Sequence, residues 1–228
     1  MIIDSHCHFD MMPNPEVYIR QKEIMGDIVI GVTNLPSHFK MGYTQLNGFK
    51  HIRLALGLHP LLAAGNKNEL LLFKHLIDKT SYIGEIGLDF SREGYATKDD
   101  QLAVLSEVLS AIRDKKKIVS VHSRKAEKEL LALLCEYEIE NVVFHWYSGP
   151  IGLIPAILEQ GYYFSVNEAM CLSKNGRAII EKIPRERVLT ETDAPYNERT
   201  DIRVVLKQLN MTEQDVYNNF KRLLAGLK

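Results

Sequence analysis

Eight short runs rich in Ile and Val recur along the 228 residues, each closed by a polar or glycine-containing segment: 2–5, 28–32, 52–56, 83–87, 118–121, 142–145, 162–166 and 188–190. Runs this short and this apolar mark strands buried on both faces. The segments between them carry the helical period. Leu102, Leu105, Leu109 and Ile112 recur at three- and four-residue steps within 98–116, and further amphipathic segments cover 127–137 and 213–227. Thr97 with Asp100, and Thr212 with Asp215, have the spacing of capping boxes. Strand and helix alternating in this way predict a parallel sheet.

Alternation permits an open doubly wound sheet or a closed barrel, and the polar residues separate the two. No Gly-rich dinucleotide fingerprint follows the first run, and no P-loop occurs. Residues able to bind metal stand instead at or just past the ends of runs one, four, five, six and eight. On an open sheet those ends spread along an edge; in a barrel they meet at one mouth. The expected fold is therefore α/β, a single (β/α)8 barrel domain over residues 1–228, with its chemistry at the C-terminal ends of the strands. Gly94, Gly149 and Gly176 are expected in loops.

A formal net charge of −1 removes any whole-molecule field for polyanions, so affinity for nucleic acid must be local. Cys7, Cys135 and Cys171 are too scattered for a disulfide framework or a structural zinc site. The N-terminal residues show neither a basic leader nor a long apolar stretch. These features predict a cytoplasmic protein with no membrane partner.

His6 and His8, two apart on a strand, project to one face and can reach one ion, although such a pair also occurs as ordinary hydrogen-bonded histidines. Glu85 sits inside the apolar run Ile83-Gly84-Glu85-Ile86-Gly87, where a lone carboxylate carries a large desolvation cost. It needs a cation: a metal, or an Arg or Lys. His122 and His145 end the next two runs, and with Glu85 they offer two nitrogens and an oxygen from consecutive strands. Asp193 follows the eighth run, which in a closed barrel neighbours the first. It is expected to act as a ligand and as the base that takes the proton of an attacking water, the plainer reading being a turn residue before Ala-Pro. His38, His51 and His75 read as surface or loop residues, and Cys7 should face away from the histidines beside it.

In order along the chain stand D-S-H-C-H-F-D (4–10), G-L-H-P (57–60), G-E-I-G-L-D-F (84–90), V-H-S-R (121–124), F-H-W-Y-S-G (144–149) and E-T-D-A-P-Y (191–196). This ordered set resembles the TatD-type metal-dependent deoxyribonucleases of the amidohydrolase-like barrels. The resemblance implies one metal on His6, His8 and Asp193, a second on His122 and His145, and Glu85 bridging them. It implies that Asp89 supports the site through a ligand, and that His59 and Arg124 contact the scissile phosphate, with Arg92 and Lys125 as lesser candidates. The implied activity is 3′-to-5′ exonucleolytic hydrolysis of DNA, with a single-stranded or frayed 3′ end as substrate. Trp146, Tyr147 and Phe90 are candidates for stacking on bases or for packing the rim.

The chain departs from the family pattern after Tyr196, where Asn197-Glu198-Arg199 replaces a longer loop with Arg, Asn and Pro. In this it is similar to the TatD-like component of Qat-type antiphage cassettes, which implies protein partners and a role against foreign nucleic acid. Two other functions fit the same residues: an amidohydrolase-like esterase or lactonase, and a partner-dependent scaffold subunit. Four imidazoles favour Zn or Mn, while phosphoryl transfer favours Mg.

Overall fold

The computed structural model describes residues 1–197 and 200–227. Glu198 and Arg199, part of the shortened connection noted above, lie outside the described residues. The strands are β1 (Ile3–Cys7), β2 (Ile28–Val32), β3 (Ile52–Ala55), β4 (Tyr82–Gly87), β5 (Ile118–His122), β6 (Val142–His145), β7 (Tyr163–Val166) and β8 (Val188–Thr190). The paired strands run parallel, and every strand residue is buried except Ile28, Arg53, Tyr82 and His122. Helices fill the connections, as parallel pairing requires.

The eight strands follow one another in chain order, but the hydrogen-bonded ladder does not run unbroken round the barrel. It falls into β1-β2-β3 and β4-β5-β6-β7-β8. A single bridge, Leu56 with Ile83, joins β3 to β4. At the other seam the link comes from Asp193 N–H to His6 O (3.0 Å), His8 N–H to Ala194 O (2.8 Å) and the Thr190 hydroxyl to Ile3 O (2.6 Å). The expected closed ladder is thus replaced at both seams by local bonds. Convergence survives nonetheless: Ser5, Ile30, Ala55, Ile83, Ser120, Val143 and Leu189, from seven different strands, surround one interior void of about 10 Å³. The helix Glu213–Ala225 covers that end, placing Phe220 and Leu223 against the void and donating from Asn219 Nδ2 to Arg185 O and Val188 O.

Two glycines of the sequence motifs are explained by close approach. A Cβ on Gly57 would stand 1.7 Å from Thr33 O. One on Gly87, where φ is +142°, would stand 2.0 Å from His122 O, so β4 and β5 meet directly beneath the site. Gly176, expected in a loop, lies in the helix Lys174–Ile180.

Helix 98–116 ends earlier, at Ile112, and its expected capping box is absent. The Thr97 hydroxyl donates to Gly94 O and accepts from Gln101 Nε2. Buried Gln101 also bonds the backbone of Asp89 in both directions (2.8 and 3.0 Å), so its amide closes the loop 88–97. The second capping box, Thr212 with Asp215, is formed on both sides. Among the described residues, no helix is long and apolar enough to cross a membrane.

Candidate metal centre

Glu85 lies at the centre of five imidazoles. Its Oε1 is 2.8 Å from His122 Nδ1 and 2.9 Å from His145 Nε2. Its Oε2 is 3.3 Å from His8 Nε2 and 3.6 Å from the Nε2 atoms of His6 and His59. Among the described residues every ion-pair partner of this carboxylate is a histidine, so the alternative of a buried Arg or Lys pair is not realised. Asp193 faces the same group, with Oδ1 3.7 Å from both His6 Nε2 and His8 Nε2. All six expected ligands therefore meet, His6, His8, Glu85, His145 and Asp193 fully buried and His122 partly so.

His122 and His145 stand at hydrogen-bond distance from Glu85, whereas the gaps of 3.3–3.7 Å from His6 and His8 to Glu85 and Asp193 are too long for good hydrogen bonds and leave room for a shared cation. Ligand atoms each about 2.1 Å from one ion stand about 3.0–3.4 Å apart. His6 Nε2 is buried without a hydrogen-bond partner, facing two carboxylates at 3.6 and 3.7 Å. Its Nδ1 is bonded to the Ser120 hydroxyl at 2.8 Å, which leaves Nε2 the lone pair when Nδ1 holds the proton. Burial and the charge of His145, stacked 3.8 Å away, hold His6 well below the usual imidazole range. Three groupings within bonding reach of one ion result: His6, His8 and Asp193; His6, Glu85 and His145; and His59, Glu85 and His122. The first two share His6 and the last two share Glu85, and His122 and His145, expected from the sequence on one ion, fall in different groupings.

His59 is set apart by its proton. It caps the helix Pro60–Ala63, and its Nδ1 accepts the Leu61 N–H at 3.2 Å. Burial holds the ring down to about 4 against the pull of Glu85, so it is neutral and its one proton is on Nε2. An Nε2–H cannot ligate a metal. It can donate to an anion, which is the role expected of this residue.

Asp89 Oδ2 binds His122 Nε2 at 2.9 Å and its Oδ1 accepts from Ser91 N–H at 2.8 Å. Burial opposes ionisation, but these bonds hold Asp89 down to about 2. His122 and His145 are both raised: burial lowers each, and the bonds from Asp89 and Glu85 to His122, and the charges of Glu85 and Glu191 on His145, outweigh it. Without metal, imidazolium protons balance Glu85. A divalent cation displaces them, so affinity should climb as pH rises past about 6.5, by up to about tenfold per unit for each proton released. Titration of metal-stripped protein against a competing indicator from pH 6 upward measures this; a flat profile contradicts it.

A model of the TatD related DNase family matches residues 3–223. The chain belongs to that family. It is similar to a 3′-5′ ssDNA/RNA exonuclease TatD of Edwardsiella piscicida (32% identity, 84% of this chain and 76% of that one). It is also similar to a human deoxyribonuclease (26%, 85% and 78%) and to a metal-dependent hydrolase of Methanocaldococcus jannaschii (26%, 91% and 87%). In fold it matches a TatD homologue of Escherichia coli K12, with a TM-score of 0.84 at 22% identity over 99% of this chain and 97% of that one. This TatD-family chain is a metal-dependent hydrolase.

The family signature E-T-D-A-P contains a residue whose part was not legible in sequence. Glu191, 1% exposed, accepts from Asn167 Nδ2 (2.9 Å), Trp146 N–H (3.1 Å) and the Ser165 hydroxyl, and stands 3.6 Å from His145 Nδ1. It holds Trp146 at φ +37°, a left-handed conformation that costs on the order of 1–3 kcal/mol in a bulky residue. Asp193 is likewise left-handed, at φ +52°, its N–H held by His6 O. Ser120 gave one signal, a hydroxyl inside an apolar run.

The centre opens into a cavity of about 660 Å³. Of the expected substrate contacts, His59, Asp89 and Arg124 line it; Arg92 and Lys125 do not, and are exposed. Tyr147 is 1% exposed with its hydroxyl donating to Pro150 O, and Phe90 packs on the core, so neither is free to stack on a base. Trp146 lines the cavity. Cys7 is buried on the far side, its Sγ 3.6 Å from Tyr18 Oη. His38 faces Asp10 at 3.9 Å, His51 faces Glu23 at 3.3 Å, and His75 is exposed on the helix Glu69–Leu76.

Proposed function

We propose that this chain hydrolyses the phosphodiester bonds of DNA from an unpaired 3′ end. The observation that carries the reading is the double facing of Glu85, one oxygen toward His122 and His145 and the other toward His6 and His8. His6, His8 and Asp193 would hold one divalent ion, and His122 and His145 a second, with Glu85 common to both; Mg, Mn and Zn all suit the donors. Such ions supply an acidified water and a counter-charge for the phosphoryl oxygens.

The chain's own groups complete the reaction. The Asp193 carboxylate takes the proton as the water oxygen bonds to phosphorus. As the P–O bond to the departing sugar oxygen breaks, the His59 Nε2–H hydrogen-bonds to a phosphate oxygen, and the proton taken up by Asp193 passes through solvent water to the departing oxygen. Arg124 is the one permanently cationic side chain among the described residues lining the cavity, and it pairs with the phosphate. An ester or lactone substrate would need no such cation, which favours the phosphodiester.

The test is cleavage of an end-labelled single-stranded oligonucleotide by metal-stripped protein resupplied with Mg, Mn or Zn. A ladder shortening from the 3′ end is expected; no cleavage with any of the three removes the reading. The resemblance to Qat-type cassettes supports a cytoplasmic setting in phage defence beside protein partners. Plaque counts on cells carrying the cassette with wild-type protein or with Asp193→Asn would test that setting, equal counts refuting it.

A further inference from the structure

The cavity has an aromatic wall that the metal centre does not use. Tyr196 lines it while keeping 56% of its surface exposed. The side chain is nevertheless tied down. Its hydroxyl accepts from Asn34 Nδ2 at 3.1 Å, and its ring meets that of His8 with centroids 4.9 Å apart and planes at 83°. The turn beneath it is held by His8 N–H to Ala194 O and Asn197 N–H to Asp193 O (3.1 Å).

An aromatic ring anchored at its polar end, touching a residue of the metal centre and still open, is preorganised for a flat partner. The other aromatics near the mouth compete poorly. Tyr147 is buried, Phe90 packs on the core, and Trp146 is half-buried against the core. Contact with His8 places the Tyr196 ring one nucleoside from a phosphate at the ligands, rather than farther along a strand.

We infer that Tyr196 is the platform on which the base of the 3′-terminal nucleoside stacks. This rests on the proposed hydrolysis of DNA ends and specifies its substrate: a strand whose last base is unpaired, whatever that base is. Every base offers a π-face, so a stacking platform selects for the presence of a base and against pairing, without reading sequence. Small esters and lactones have nothing to place there.

The experiment compares two single-stranded oligonucleotides in Mn²⁺, identical except that one carries a tetrahydrofuran abasic residue at its 3′ terminus. The wild-type protein is expected to show a KM about 10- to 100-fold higher for the abasic end, the usual reach of one stacked base. In Tyr196→Ala that preference should vanish, the two substrates becoming equivalent. In Tyr196→Phe it should persist, since the ring remains when the bond to Asn34 is lost. A preference retained in Tyr196→Ala, or abolished in Trp146→Ala instead, overturns the inference. Failure of wild-type protein to cleave either oligonucleotide overturns this inference together with the nuclease reading. Cleavage of both ends with equal KM overturns the platform alone.

Discussion

Glu85→Ala is expected to lower metal-dependent hydrolysis by about 10³-fold or more and to abolish stabilisation by metal, while the metal-free protein keeps its fold. Bound metal is expected to contribute several kcal/mol to the transition state, and each 1.36 kcal/mol is a factor of ten in rate. Among the described residues Glu85 is the only carboxylate that faces every expected ligand imidazole, so no other described residue can replace its charge at the centre of the site. Burial alone would push this carboxyl up. The charge of His145, with hydrogen bonds from His122 and His145, holds it well below the usual range instead. Removing it removes one of the two carboxylates that favour protonation of each of His122 and His145; Asp89 and Glu191 stay beside them, so either ring is paired when charged and the metal-free fold is spared an uncompensated charge. Melting curves with and without Mn²⁺ read the effect directly. The wild type should gain stability with ligand concentration, and Glu85→Ala should not. A variant that keeps the metal-dependent rise in Tm and loses less than tenfold in rate would contradict the central role given to Glu85.

Asp193→Asn should lower kcat by about 10²- to 10⁴-fold at saturating metal, the range for loss of a positioned general base. Asn keeps an oxygen toward His6 and His8, so metal binding should suffer less than catalysis. Burial, with the charges of Glu191 and Glu85 added, raises the Asp193 carboxyl to about 7 against the opposing influence of His145. A bound cation lowers that value. Only the ionised form accepts a proton, so kcat of the wild type should rise with pH on the acid side and level off at or below about 7. The variant should lack that limb. Rate profiles of both proteins decide the matter: a variant within tenfold of wild type that retains the same acid limb would move the proton to another group.

The capping boxes show how far spacing carries an argument. Thr212 with Asp215 and Thr97 with Asp100 have the same spacing, yet only the first forms a box, because buried Gln101 takes the Thr97 hydroxyl and ties it to the loop that carries Asp89. A local pattern holds where nothing distant competes for the same atoms. Aromatic side chains behave alike. Trp146, Tyr147 and Phe90 all stand near the mouth in sequence, but packing buries Tyr147 and leaves Tyr196 as the open ring.

The order of strands and helices, and the six residues that gather at the mouth, could be read from the chain because a doubly buried parallel strand tolerates few polar residues, and each exception needs a reason. Strands β2, β6 and β8 have the bounds read from their apolar runs, and each of the others differs at one or both ends by one or two residues. The partners of those six residues could not be read. Ser120 lies 114 positions from His6, and Glu191 acts on a histidine 46 positions earlier by contacts that exist only once the strands are curved together. The same holds for the two seams of the barrel, where side chains and loop backbone stand in for a ladder, and for the proton on His59. Hydrophobic pattern is a property of neighbours along the chain; a tautomer, a cation-sized gap between nitrogens and carboxylates, and an exposed ring beside it are properties of neighbours in space.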